Sequence, residues 1–202
     1  MANERNTIAS PRSPNLAREL IARAKQSDEH WARLARLPSA DQQVGVGRHI
    51  DHANAEVLSR ALAEHGWPDV PLVGEGGAKA AWKLALRADT RPDLQRLAYR
   101  MMHAAVERGT ASKQEWAHLY DRCLLGAGRP QFYGTQYRLG ASGPELEPVS
   151  EPDTDLDARR AAIGLPPTSM ALHRLRRRLA AAPRFDDDGY VDSLGPPLKD
   201  VA

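Results

Sequence analysis

Asp121 and Arg122 stand side by side, with His118 three and four positions before them. On a helix these offsets put a carboxylate, a guanidinium and an imidazole on adjoining turns, a set able to share a proton or hold an anion. Farther on, Gln131-Phe132-Tyr133-Gly134-Thr135-Gln136 gathers two amides, a phenol and a hydroxyl around a glycine that permits a sharp turn. In an extended segment Gln131, Tyr133 and Thr135 share one face, and Phe132, Gly134 and Gln136 the other. A polar face turned inward needs a partner for every donor and acceptor, and a ligand can supply some of them. Structural readings stay open beside these: an ion network on a helix surface, and a hairpin whose polar groups bond the backbone.

Other patterns carry less. His49-Ile50-Asp51-His52 spaces two imidazoles for one helical face, but no third ligand is placed, so no metal is expected. Gly74-Glu75-Gly76-Gly77 precedes a helix without the Gly-Lys-Ser/Thr ending of a phosphate loop, and reads as a helix entry; no cofactor is expected. His173-Arg174-Leu175-Arg176-Arg177-Arg178 is the densest basic cluster and reads as a solvated helix face, with Asp186-Asp187-Asp188 as an acidic counterpart. No reading motif or aromatic platform accompanies it, so nucleic acid is not expected as a partner.

The chain that must position these groups has 202 residues, 42% of them hydrophobic, and a formal charge of +2. That length supports one domain with its own core. No apolar run reaches the ~18–20 residues of a membrane span, and the start lacks a signal-peptide core. The single Cys123 excludes an intramolecular disulfide and a cysteine metal cluster, which fits a cytoplasmic setting. Lysine fills only five of the 28 basic positions; the others are arginine, whose planar fork suits carboxylates and phosphates.

Periodicity and end signals predict the elements. Ser13-Pro14 opens a helix over about 14–37, and Asp41–Arg48 reads as a connector. A second helix starts at Asp51, carries Leu58, Ala61 and Leu62 on one face, and ends at Gly66. Residues 67–73 read as extended, followed by a third helix with Ala81, Leu84, Ala85 and Ala88 on its face. Thr90 is expected to cap a fourth helix, and Ser112 with Glu115 a fifth, whose core face is Trp116, Leu119, Tyr120 and Cys123. Thr154 is expected to cap a short helix to Ala162, and a last helix runs from Pro167 to Ala181. The expectation is a mainly α single-domain helical bundle over 13–182, with a small β-hairpin-like element near 131–149. Flexible tails are expected at 1–12 and 183–202.

Taken together, Gly66-Trp67-Pro68, Val73-Gly74, Ala81-Trp82, Asp89, Gln95, Asp121-Arg122, Gln131-x-Tyr133-Gly134-Thr135-Gln136, and Arg160 with Gly164-Leu165 resemble an uncharacterised bacterial family. It is catalogued as a domain of unknown function with a D-R … Q-x-Y-G-T-Q signature, and the match covers roughly 50–180. Asp51 and Asn54 also fit, one turn apart on the face of Leu58 and Leu62. The resemblance implies that these polar residues form a common site; it implies no reaction. Where the family often reads Gln-His-Ala-Asp, this chain has Leu86-Arg87-Ala88-Asp89, a permanent cation in place of a titrating imidazole.

The functional expectation is a small enzyme working by acid/base chemistry (hydrolysis, elimination or cyclisation) on a small polar, amino-acid-like or peptide substrate. Asp121 is its acid/base candidate, Arg122 or Arg87 the anion holder and Tyr133 a proton donor. Gln131, Thr135 and Gln136 orient the substrate, with Asp51 and Asn54 opposite. The alternative is a non-catalytic module binding a small ligand or protein through the same polar site.

Overall fold

Proline at a first helical turn loses no hydrogen bond, so Ser13-Pro14 can start a helix, and one begins at Pro14. The computed structural model describes residues 10–34, 41–140 and 142–181. Among them α1 spans Pro14–Leu34, α2 Asp41–His65, α3 Val70–Leu86, α4 Pro92–Glu107 and α5 Lys113–Gly126. Strands β1 (Tyr137–Gly140) and β2 (Gly143–Leu146) pair antiparallel. A 3-10 turn at Asp153–Asp155 then leads into α6 (Leu156–Ala162), and α7 covers Thr168–Ala181. The fold is mainly α with one small hairpin.

Several boundaries differ from expectation for local reasons. Residues 41–48 belong to α2 despite two glycines, because at Gly47 a Cβ would lie 2.9 Å from the His30 ring and glycine lets α1 approach. Residues 70–73 form a helical turn rather than an extended link. Asp69 caps it by accepting from the Leu72 N–H at 3.2 Å, and α3 kinks at Gly74, where φ is +72°. Arg91, not Thr90, precedes α4, and Pro92 opens it with no side-chain cap. Ser112 caps α5 as expected, accepting from the Glu115 N–H at 3.2 Å. Thr154 falls inside the 3-10 turn, and α6 begins without a side-chain cap. Residues 1–9, the end expected for the first helix and the acidic Asp186–Asp188 segment lie outside the described residues. Arg12 is tied down, its N–H bonding the Pro71 carbonyl at 3.2 Å.

The core forms where α1, α2 and α3 meet and where α4 and α5 close over them, around Leu20, Leu58, Leu62, Leu84, Met102 and Leu119. Alanines line much of α3, and at Gly77 a Cβ would come within 3.3 Å of the Ala17 backbone, so small residues set the close α1–α3 approach. Among the described residues no helix is long and apolar enough to cross a membrane.

Candidate functional site

Gly128, at φ +67°, turns the chain out of α5, and the hexapeptide then doubles back along that helix. What holds it there is Asp121. Its Oδ1 accepts from the N–H groups of Phe132 (2.8 Å) and Tyr133 (3.0 Å), and its Oδ2 from the Thr135 N–H (3.0 Å) and Thr135 Oγ1 (2.9 Å). A carboxylate offers about four lone-pair positions, so these four donors occupy the whole group. The side chain is 0% exposed. Burial pushes its pKa up, against the pull of the backbone donors, and three of those donors are N–H groups that cannot turn to accept a proton.

The rest of the hexapeptide is bonded just as fully. Gln131 Nε2 donates to the carbonyls of Gln136 (3.0 Å) and Glu147 (2.8 Å), and its Oε1 accepts from the Gln136 N–H at 2.9 Å. Gln136 Nε2 donates to Thr135 Oγ1 (3.1 Å) and the His118 carbonyl (3.3 Å). From α6, Arg160 Nη1 donates to the carbonyls of Tyr133 (2.7 Å) and Gly134 (2.8 Å). Arg159 Nε bonds the Phe132 carbonyl at 3.0 Å, with the guanidinium 4.8 Å from the Phe132 ring centroid. Gly134 has φ +61°, and a Cβ there would sit 3.1 Å from Leu156. This is a polar clasp: Asp121 grips it from α5 and Arg160 from α6.

The clasp does not alternate as a strand would. Gln131, Thr135 and Gln136 are buried, Tyr133 is half-buried and Phe132 exposed. The ladder of β1 and β2 starts only at Tyr137, and Gln131 makes an isolated bridge to Val149. On α5 the expected core face is also displaced. Ala117, Leu119, Asp121 and Leu124 are buried, whereas Trp116, Tyr120 and Cys123 are partly exposed. The carboxylate occupies a core position because the clasp supplies its donors.

His118, Asp121 and Arg122 go separate ways. Arg122 Nε donates to Asp89 at 2.9 Å, and Gln95 Nε2 joins the same Asp89 carboxylate (3.3 Å) to the Ala85 carbonyl (3.1 Å), tying the end of α3 to α4 and α5. The His118 ring lies edge-on to Trp82 at 5.9 Å. Tyr133 brings its N–H to Asp121 but turns its ring toward Trp116, Tyr120 and Phe132. Burial and the Asp121 charge push the Tyr133 hydroxyl above its ordinary range, so at neutral pH it is a donor. The Cys123 thiol is pushed up to about 11 by burial, which removes thiolate chemistry near neutrality.

Asp51, Asn54 and Arg87 belong to a different place, a polar seam where α1, α2 and α3 meet. Asp51 accepts from Ser27 Oγ (2.8 Å) and Trp31 Nε1 (2.9 Å), one bond to each oxygen among the described residues. The neighbouring Asp28 bonds Arg87 Nη2 and, at 2.8 Å, Lys83 Nζ. Burial acts against the Asp28 charge, but the two cations prevail and its pKa is lowered. Asn54 lies one turn beyond Asp51 and is 2% exposed, yet among the described residues neither Nδ2 nor Oδ1 has a hydrogen-bond partner. Arg87 Nη1 is likewise buried without one. His49 and His52 are exposed, on the other side of α2 from the buried Asp51. Among the described residues, no group of three or more His, Cys, Asp or Glu side chains is placed to hold a metal ion.

Ser27, Asp28, Lys83 and Arg159 are the contributors that sequence reasoning missed. One signal was available: Ser27 sits in line with Leu20, Ala24 and Trp31, a polar residue on the buried stripe of α1. The cationic pairs across α1 and α3 had no sequence signal, since their spacing exists only after packing. No curated protein and no solved structure matches the chain. A family model, described as a family of unknown function (DUF6624), matches residues 18–179, which contain both the clasp and the seam. With four-fifths of its length inside that model, the chain belongs to the DUF6624 family.

Proposed function

We propose that the protein binds a small, polar, amino-acid-like molecule in the seam between α1, α2 and α3. The observation that carries this reading is Asn54, whose amide offers one acceptor atom and one donor atom, both buried and both unbonded. Leaving such groups unsatisfied costs about 1–3 kcal/mol each, a cost that a bound ligand recovers. The chemistry around it selects the ligand class. Arg87 Nη1 is a charged donor suited to a carboxylate, and Asp51 is an acceptor suited to an ammonium.

Acid/base catalysis on the same ligand is the second reading, favoured by the state of Asp51. One described donor per oxygen leaves it proton-accepting capacity, which the four donors on Asp121 take away. Asp51 then replaces Asp121 as the proposed base, and Asp121 and Arg160 hold the clasp.

The test is Asn54→Leu, a near-isosteric change. Without ligand it should raise stability by about 1–3 kcal/mol in urea denaturation, because it removes two unsatisfied groups. Titration calorimetry of the native chain against amino acids and dipeptides should find saturable binding that the variant loses. A destabilised variant, or no binding by the native chain, overturns the reading.

A further inference from the structure

A half-open cavity of about 170 Å³ lies beside the clasp, lined by Thr135 of the clasp, β1, α6 and α7. Its polar lining is Arg160, Arg174, Arg178, His118, Tyr137 and Thr135, with apolar side chains between them and no carboxylate among the described residues. Arg160 is the anchor. It is 2% exposed, its Nε is fixed by the Pro166 carbonyl at 2.7 Å, and its Nη1 by the clasp carbonyls. Its Nη2 makes no hydrogen bond among the described residues, and no carboxylate pairs with it. Asp157 acts on its charge from a distance but accepts from the Thr168 N–H and hydroxyl, both at 2.8 Å, and Asp121 is spent on the clasp. The Tyr137 hydroxyl is buried and unbonded. Arg174 forms no ion pair among the described residues and is exposed at the rim.

A guanidinium held rigidly by carbonyls, with one edge left over, is organised to receive a tetrahedral oxyanion before the anion arrives. The volume leaves ample room for one phosphoryl group. We infer that this cavity is a binding site for a phosphate-type oxyanion, held by Arg160 Nη2, the Tyr137 hydroxyl and Arg174. Inorganic phosphate and a phosphomonoester share that chemistry; the open rim at Arg174 is where an ester arm leaves.

The site is separate from the α1–α2–α3 seam, and its test is independent. Isothermal titration of the full chain with sodium phosphate and with glycerol 3-phosphate, at about 100 mM NaCl, should show saturable binding with Kd below about 1 mM. Tighter binding of glycerol 3-phosphate assigns the site to a phosphomonoester, and equal binding to free phosphate. Arg174→Ala should weaken binding about tenfold or more, and Tyr137→Phe several-fold, while Arg60→Ala on the exposed face of α2 and Asn54→Leu leave it unchanged. Neither Arg174 nor the Tyr137 hydroxyl holds any described part of the fold, so both variants should fold. Absence of saturable binding by either anion, or equal weakening by Arg60→Ala and Arg174→Ala, overturns the assignment.

Discussion

Asp121 shows how a residue type that reads as catalytic can be consumed by structure. A general base needs a free lone pair within reach of a substrate proton. Here three backbone N–H groups and one hydroxyl fill the carboxylate, in a position with no solvent exposure. Asp121→Asn puts an amide N–H₂ against donors and removes the charge they point at. It should lower unfolding free energy by about 3 kcal/mol or more in chemical denaturation. Tyr133→Phe removes a hydroxyl with no hydrogen bond among the described residues, and should change stability by less than about 0.5 kcal/mol. Equal effects of the two substitutions would mean that the carboxylate does not hold the clasp.

Between α5 and α6 the same economy governs a whole segment. Six residues without regular secondary structure have buried backbone groups that no helix or ladder satisfies, so side chains must do it. Asp121 takes the N–H groups, Arg160 and Arg159 take the carbonyls, and Gln131 closes the loop on Gln136. The left-handed turn at Gly134 allows this, and its missing Cβ lets Leu156 of α6 close down. Gly134→Ala meets both obstacles at once, a positive φ and a 3.1 Å contact. It should cost about 1–3 kcal/mol and, in hydrogen exchange, speed the amides of Phe132, Tyr133 and Thr135 more than those of α4. Uniform acceleration across the chain would show instead that clasp and bundle open together.

Across the whole molecule, charged pairs tie helices whose apolar faces are narrow and alanine-rich. Lys83 and Arg87 hold α3 to Asp28 on α1, and Arg122 holds α5 to Asp89 at the end of α3. Asp28 gives this a pH signature. Its folded pKa lies below the ordinary value of 3.8, so its stabilisation is present above that pH and is lost as pH falls through the folded pKa. Stability measured from pH 6 down to about pH 2 should fall below about pH 4, and Asp28→Asn should flatten part of that fall. An unchanged acid limb in Asp28→Asn would move the acid sensitivity to other carboxylates. Asp121, raised by burial, contributes with the opposite sign.

Helix-rich architecture was legible in the chain because it depends on local properties. Apolar spacing, the Ser112 cap and the stop at Gly66 marked most of the bundle's helices. The run from Gln131 to Gln136 announced itself by composition, and the amides and hydroxyl of its signature do converge with Asp121. Their convergence could not say what they converge on. Whether a carboxylate faces a ligand or four protein donors depends on a chain reversal and on α6 docking from beyond the hairpin. Both are long-range events with no local signal. The separation of Asp51, Asn54 and Arg87 from the clasp has the same cause. They lie on α2 and α3, and only the packing of those helices against α1 brings Ser27 and Asp28 between them. Sequence by itself determined that the chain is helix-rich and where most of its helices lie; tertiary structure carried α2 and α3 beyond their expected starts and decided which polar atoms still have a hydrogen bond to give, because a donor is satisfied or left over only once its neighbours in space are fixed.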